Sequence, residues 1–291
     1  MEPLSREVVA NQLRHRVLEW NSGGHKTVLL LHGFLDIGWG WKRVAEPLAA
    51  AGLRVLAPDL RGHGDTDRIG AGGYYHFFDY VFDVADLIDA LTDRPPVLVG
   101  HSMGGAVASY VAGAFPEAIE RVALLEGFAM RDESPDLVPA RTAEWVRSVR
   151  KARARQPRIY PTLESAAARL RELDPRCDPD FALFLAEKGT REVAGGRIFK
   201  HDPIHLTRGP LPFQLALVRP LWEAIRCPTL LVDASESELL ARLPGYEERY
   251  RYFRHGRRVT IADAGHMLIR HQPERLAAEL LAFIQSPTET P

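Results

Sequence analysis

The sequence has little cysteine and no long apolar run. Only two of its 291 residues are cysteines, Cys177 and Cys227. Two cysteines are too few for a disulfide framework, and their spacing does not fit a zinc site. No stretch approaches the roughly 18 consecutive apolar residues that a bilayer-spanning helix needs. These absences predict a protein with reduced cysteines and no membrane span.

Features of an export signal are also missing from the first twenty residues. Glu2, Arg6 and Glu7 stand where a signal peptide would need continuous apolar residues. Lipidation motifs are absent as well. We therefore expect a cytoplasmic protein.

Neither sign of charge dominates, because 37 Lys and Arg residues stand against 38 Asp and Glu residues. A balanced charge argues against nucleic acid as a partner. The sequence contains neither a Walker pattern nor the third glycine of a dinucleotide-binding loop, so no cofactor is expected. At 46% apolar residues, the chain can bury a substantial core.

Short apolar runs alternate with helical patterns in the first part of the chain and again near its end. This alternation is typical of a mostly parallel sheet flanked by helices. The predicted strands are Leu13–Trp20, Thr27–Leu31, Leu53–Ala57, Val97–Val99, Val122–Leu125, Pro228–Ala234 and Arg258–Ala262. The predicted helices are Trp41–Ala51, Phe78–Leu91 with its aspartates facing solvent, Met103–Ala114 and Pro273–Gln285.

The alternation stops between residues 128 and 221, where strand signals are scarce and Pro, Arg and helix formers dominate. We predict that residues 128–221 form an inserted helical cap and that residues 1–127 and 222–291 form one α/β core. Six basic residues between positions 147 and 158 are interpreted as a solvated helix face, with steering of an anionic substrate or an acidic partner as the alternative.

The strongest chemical signal is the sequence Gly100-His-Ser-Met-Gly104, which matches the G-x-S-x-G pattern. It directly follows a predicted strand and directly precedes a predicted helix, which is the context this pattern requires. Such a turn exposes the Ser102 hydroxyl, and the helix N-terminus supplies N–H dipoles to a developing oxyanion. Ser102 is therefore the predicted nucleophile.

A serine hydroxyl needs a base near neutral pH. His266 follows the last predicted strand and precedes the final helix, so we expect it at the same edge of the sheet as Ser102. His271 is the local rival for this role.

A resemblance to a known family rests on four pieces of the sequence. In chain order these are HGF at 32–34, PDLRGHG at 58–64, GHSMGG at 100–105 and GH at 265–266. In them the chain resembles the α/β-hydrolase superfamily, especially its capped serine-hydrolase-like members. The resemblance implies Ser102 as nucleophile, His266 as base, and the backbone N–H groups of Phe34 and Met103 as an oxyanion hole. His32 is expected to brace its loop.

The third member of the expected catalytic triad departs from the commonest family pattern. Ser237, between Glu236 and Glu238, occupies the position where most members carry Asp. The family's other acidic site is the end of the strand after the nucleophile helix, and Glu126 stands there. We favour Glu126, with Glu236 and Glu238 as alternatives and Asp233 as a weaker one. A carboxylate at the tip of a buried strand needs a hydrogen-bond partner.

The sequence thus predicts a serine hydrolase that cleaves a small-molecule ester or lactone. Cleavage of a C–C bond or a thioester by the same triad, or a non-catalytic small-ligand receptor, are the alternatives. The segment from His63 to Asp67 briefly suggests metal ligands, but it lacks the spacing of a known metal site, so no metal is assigned.

Overall fold

The computed structural model describes residues 1–128, 130–243 and 245–287. Its strands are β1 (Leu4–Ala10), β2 (Leu13–Trp20), β3 (Thr27–Leu31), β4 (Arg54–Pro58), β5 (Val97–His101), β6 (Arg121–Leu125), β7 (Thr190–Val193), β8 (Gly196–Phe199), β9 (Thr229–Ala234) and β10 (Gly256–Ile261). Its α-helices are α1 (Lys42–Ala50), α2 (Phe77–Leu91), α3 (Met103–Ala114), α4 (Val138–Ala154), α5 (Leu163–Leu173), α6 (Pro179–Gly189), α7 (Leu215–Ala224), α8 (Glu238–Ala241), α9 (Tyr246–Arg249), α10 (Leu268–His271) and α11 (Pro273–Gln285).

Eight strands form one sheet in the order β1-β2-β4-β3-β5-β6-β9-β10. The two strands at one edge, β1 and β2, pair antiparallel, and the other six run parallel. The central strands β3, β5, β6 and β9 are almost completely buried, because helices cover both faces of the sheet. This burial explains why these strands are continuous apolar runs in the sequence.

The strand register brings three chain segments together at the carboxyl edge of the sheet. His101, the last residue of β5, pairs with Leu125, the last residue of β6. Leu125 in turn pairs with Val232 near the end of β9. Ser102, Glu126 and the residues after β9 therefore leave the sheet side by side.

The sequence analysis missed β1, because five of its seven residues are exposed and it lacks an alternating apolar pattern. One detail of the predicted helix α2 is wrong. Asp83 was expected to face solvent, but it is completely buried and forms an ion pair with Arg61 and a hydrogen bond with Asn11. A buried carboxylate of this kind needs the partners that it has here.

Residues 128–221 hold α4, α5, α6 and the short β7–β8 hairpin, which the sequence pattern did not predict. They also hold a small apolar cluster of their own, formed mainly by α5 and α6. The boundary predicted between residues 221 and 222 falls inside α7. This helix packs on α3 so closely that a Cβ on Gly113 would lie 2.1 Å from the carbonyl oxygen of Leu221.

The division into core and cap stays a prediction. Ala129, Pro244 and residues 288–291, which belong to its ranges, lie outside the described residues. In the three described stretches, none of the helices combines the length and apolarity needed to cross a membrane.

Candidate active site

Ser102 lies in the turn between β5 and α3. Its backbone has φ 52° and ψ −117°, a conformation that is costly for a residue with a side chain. The turn is tight on both sides of the serine. A Cβ on Gly100 would lie 2.2 Å from the Gly104 carbonyl oxygen, and one on Gly104 would lie 2.3 Å from the Leu31 carbonyl oxygen. Only glycine fits at these two positions, as the sequence pattern requires.

His266 lies in the loop between β10 and α10, and its Nε2 atom is 3.0 Å from Ser102 Oγ. The neighbouring His101 holds this loop, because its Nε2–H donates to the His266 carbonyl oxygen at 2.7 Å. Burial, with the nearby His266, lowers the pKa of His101 to about 3. His101 is therefore a neutral ring that positions the backbone of His266.

Glu126 follows β6 with a left-handed backbone, φ 50°, and its side chain is fully buried. Its Oε2 atom lies 2.6 Å from His266 Nδ1 and accepts a hydrogen bond from Ser237 Oγ at 2.8 Å. Its Oε1 atom accepts from the Ala234 backbone N–H at 3.0 Å. The carboxylate thus has the hydrogen-bond partners that its burial demands.

The structure therefore brings Ser102, His266 and Glu126 into one chain of contacts. The other acidic candidates are engaged elsewhere: Glu236 with Arg176 at 2.6 Å, Glu238 with Arg242 at 2.7 Å, and Asp233 with Arg258 at 2.7 Å and Tyr246 at 2.9 Å.

The loop that contains Phe34 lies against the nucleophile turn. A Cβ on Gly33 would be 3.4 Å from the Ser102 Cβ. His32 braces this loop, because its Nδ1–H donates to the Gly33 carbonyl at 2.8 Å while its Nε2 accepts from the Leu60 N–H at 2.9 Å. Met103 is the first residue of α3, so its N–H has no acceptor within the helix.

His271, the rival base, has a different position. Its Nδ1 accepts from the Gly265 N–H at 3.0 Å, and its Nε2 donates to Asp174 Oδ1 at 2.8 Å. It therefore links residues 128–221 to the backbone just before His266. No sequence signal pointed to Asp174, because the two partners are 97 positions apart.

A second contact that the sequence analysis missed involves His205, in a short 3₁₀ turn (Pro203–Leu206). Its ring stacks on His63 with centroids 4.2 Å apart and meets the Phe34 ring edge-on at 6.2 Å. Burial lowers the pKa of His205 to about 4. A neutral aromatic stack therefore packs against the Phe34 loop.

Three polar residues in the segment from His63 to Asp67 contact separate partners. His63 Nε2 accepts from the Leu35 N–H at 3.3 Å, Asp65 pairs with Lys200 at 2.7 Å, and Asp67 pairs with Arg14 at 2.9 Å.

A small cavity and a surface groove adjoin the described part of residues 128–221. The cavity, of about 30 Å³, is lined by Leu35, Asp36, Ile37, Leu185, Phe199 and Arg270, among others. The surface groove, of about 350 Å³, lies between α4 and the turn Pro203–Leu206. Three of the six basic residues from the 147–158 run, Arg147, Lys151 and Arg155, line this groove. Their side chains are at the protein surface, as a solvated face would be.

Comparison with known proteins relates nearly the whole chain to one family. A family model described as the alpha/beta hydrolase fold matches residues 26–270. A serine hydrolase-like protein of Danio rerio is 32% identical over 202 residues, which are 66% of this chain and 59% of that protein. The AB hydrolase superfamily protein YfhM of Bacillus subtilis is 27% identical over 89% of this chain and 90% of its own length.

Among solved structures, the thioesterase domain from the curacin biosynthetic pathway superposes with a TM-score of 0.86 at 29% identity, over 97% of this chain and all of that domain. Among sequence relatives, epoxide hydrolase A of Mycobacterium tuberculosis is 37% identical over 36% of this chain. Solved structures of an esterase and an enol-lactonase, at 24% and 21% identity, share the fold. The chain spans about three fifths of the length of its serine hydrolase-like relatives from Danio rerio and Dictyostelium discoideum. The shared fold thus serves several hydrolytic chemistries.

Proposed function

The chain belongs to the α/β-hydrolase family, and from this membership we propose that it is a serine hydrolase that cleaves a carboxylic ester or lactone. One observation carries the proposal. Ser102 Oγ, the two ring nitrogens of His266 and Glu126 Oε2 form a continuous series of contacts at 3.0 and 2.6 Å. These are hydrogen-bond distances, and the order is that of nucleophile, base and orienting acid.

In the proposed reaction, Ser102 Oγ attacks the carbonyl carbon while His266 Nε2 takes its proton. The tetrahedral intermediate collapses, and His266 returns the proton to the departing alkoxide. Water then attacks the acyl-enzyme and gives a proton to His266, which passes it to Ser102 Oγ as the acid leaves. Glu126 keeps Nδ1–H of His266 oriented and stabilises the imidazolium in both steps.

The proposed oxyanion hole consists of the backbone N–H groups of Phe34 and Met103. The position of Met103 at the start of α3 supports this role, because that N–H is free of the helix and the helix dipole favours negative charge there. The closeness of Gly33 to Ser102, whose Cβ would lie 3.4 Å from a Cβ on Gly33, supports the role of Phe34. Two such donors stabilise the developing oxyanion more than the neutral carbonyl.

We extend the proposal to residues 128–221, which would cover the site as a cap. Two contacts support it: the His205 ring against Phe34, and Asp174 against His271. The small cavity between Leu35 and Phe199 lies at the same boundary. At about 30 Å³ this cavity has the volume of a water molecule, so it marks the boundary and is not itself a substrate pocket.

A thioester is the second candidate substrate, favoured by the 29% identity to the thioesterase domain over almost the whole chain. The same acyl-enzyme forms from either substrate, so only the leaving group differs. Epoxide hydrolysis in this fold needs a carboxylate nucleophile, and Ser102 argues against it.

The test is turnover of p-nitrophenyl esters from acetate to decanoate, together with a lactone and an acyl thioester. We expect activity to peak at one acyl length and to fall by about 10⁴-fold or more in Ser102→Ala. Ser235→Ala is the matched control, because the hydroxyl of this exposed serine accepts from the Asp263 N–H and contacts none of Ser102, His266 and Glu126. Equal turnover by wild type and Ser102→Ala would refute the proposal.

A further inference from the structure

Ser237 is buried, and its hydroxyl forms two hydrogen bonds, only one of which serves its own helix. It precedes α8, and its Oγ accepts from the Leu240 N–H at 3.3 Å. The same Oγ lies 2.8 Å from Glu126 Oε2. A carboxylate oxygen can only accept, so the single hydroxyl proton of Ser237 points at Glu126.

The oxygen that Ser237 contacts is the one that faces the base. Oε2 of Glu126 lies 2.6 Å from His266 Nδ1, whereas Oε1 is held by the Ala234 N–H. The last torsion of a glutamate side chain has broad minima and is poorly fixed by sterics. Donors on both oxygens therefore define the plane of this carboxylate, and one of these donors is the Ser237 hydroxyl.

We propose that Ser237 is a positioning residue, which holds Oε2 of Glu126 toward Nδ1 of His266. This inference rests on the proposed function, since the position of Glu126 affects the reaction only if His266 is the base. The Ala234 donor is a backbone group that no substitution removes. Among the described residues, Ser237 is thus the side chain other than His266 whose hydrogen bond to Glu126 the structure shows.

Three substitutions separate this role from capping of α8. Ser237→Ala removes both the cap and the donor, whereas Ser237→Thr keeps both. Ser237→Asp keeps a good cap but replaces the donor with a second carboxylate. Ser235→Ala, two positions earlier, removes a hydroxyl that does not contact Glu126.

The readouts are kcat and KM for the best ester and the rate at which an alkyl fluorophosphonate labels Ser102. For Ser237→Ala we expect kcat and the labelling rate to fall by about 10- to 100-fold with KM little changed, since small misplacement of a catalytic group has effects of this size. Ser237→Thr and Ser235→Ala should stay close to wild type. Wild-type rates in Ser237→Ala would overturn the inference, as would equal losses in Ser237→Ala and Ser237→Thr.

A second experiment does not depend on how well Ser237→Ala folds. Because Ser237 and His266 contact the same oxygen, a carboxylate at position 237 should come near His266. We expect Ser237→Asp to lower activity in the wild-type background, where two carboxylates would share one site. In the Glu126→Gln background the same substitution should raise activity by about tenfold or more, since it restores a carboxylate to the base. An equal loss in both backgrounds would overturn the inference.

The failure of the proposed function gives a different result. In that case fluorophosphonate does not label wild-type protein, or Ser102→Ala keeps its ester turnover. If wild type is labelled and Ser102→Ala is inactive, an unaffected Ser237→Ala refutes only the role of Ser237.

Discussion

Non-glycine residues with left-handed backbones concentrate at the proposed site. Ser102, Glu126 and Asp263 have φ between 50° and 56°, and Leu35, next to Phe34, has φ 60°. Each lies in a loop at the carboxyl edge of the sheet. Strained backbone of this kind persists only where surrounding contacts hold it, and it is typical of functional sites.

The acidic member of the proposed triad can be tested by removing one charge. In Glu126→Gln the amide no longer stabilises the imidazolium, so we expect kcat to fall by several hundred-fold or more, on the order of the effect known for triad acids. The assay is ester turnover at saturating substrate.

Glu236→Gln is the matched control, because Glu236 is exposed and paired with Arg176. Its kcat should stay within about twofold of wild type, as for most surface substitutions. Near-normal kcat in Glu126→Gln together with a large loss in Glu236→Gln or Glu238→Gln would reverse the assignment.

At the residue scale, the sequence was informative where chemistry and local pattern coincide. The prediction of Ser102 follows from the glycine pattern, whereas the predicted roles of Met103 and Glu126 follow from the resemblance to the α/β-hydrolase superfamily. The contacts of Ser237 and His205 could not be predicted, because they join residues 111 and 142 positions apart with no local pattern. Contacts between residues so far apart in the sequence depend on the final packing of loops.

At the scale of elements, the turn from β5 to α3 depends on glycine for space. A Cβ on Gly104 would come within 2.3 Å of the Leu31 carbonyl oxygen, and backbone cannot yield as a flexible side chain can. We therefore expect Gly104→Ala to lower the free energy of unfolding by about 1–3 kcal/mol or more and to reduce activity. Chemical denaturation measures the first and ester turnover the second.

Gly70→Ala is the control, because a Cβ there has no atom within 4 Å. Its free energy of unfolding should be within about 0.5 kcal/mol of wild type. If Gly104→Ala and Gly70→Ala had similar free energies of unfolding, the β5–α3 turn would be able to widen, contrary to this prediction.

The elements that the sequence predicted well are those with continuous or periodic burial. The bounds of β2, β3, α3 and α11 agree with the sequence prediction, since continuous or periodic burial leaves a clear pattern. Strand β1 has mostly exposed residues, and the short strands of the β7–β8 hairpin are mostly half-buried, so the positions of all three depend on pairing rather than on apolar pattern. Their place in the fold was therefore not visible.

At the scale of the whole molecule, buried histidines make stability depend on pH. Burial lowers the pKa of His101 to about 3 and of His205 to about 4, whereas an unfolded histidine titrates near 6.5. Between these values the unfolded chain binds protons that the native protein excludes. The free energy of unfolding should therefore fall as the pH is lowered from about 6.5 toward 4.

Replacing one of these histidines should flatten that dependence. In His205→Phe, which keeps an aromatic ring beside His63, the slope between pH 6 and 4.5 should decrease by up to about 1.4 kcal/mol per pH unit. The measurement is urea denaturation at several pH values. His255→Gln is the control, because this side chain is exposed. A slope in His205→Phe equal to that of wild type would contradict the assigned burial effect.

The location of Glu126 also affects when the protein can fold during its synthesis. A ribosome synthesises β6 and Glu126 long before Ala234, Ser237 and His266, which hold the carboxylate in the finished protein. An ionised carboxylate without partners is costly to bury, so we expect the centre of the sheet to stay open in the nascent chain. Ribosome-bound chains in which residues up to 225 have left the ribosome should be cut readily by protease. Chains in which residues up to 285 have left the ribosome should resist the protease. Synthesis of the stretch from Ala234 to His266 would thus decide when the sheet closes.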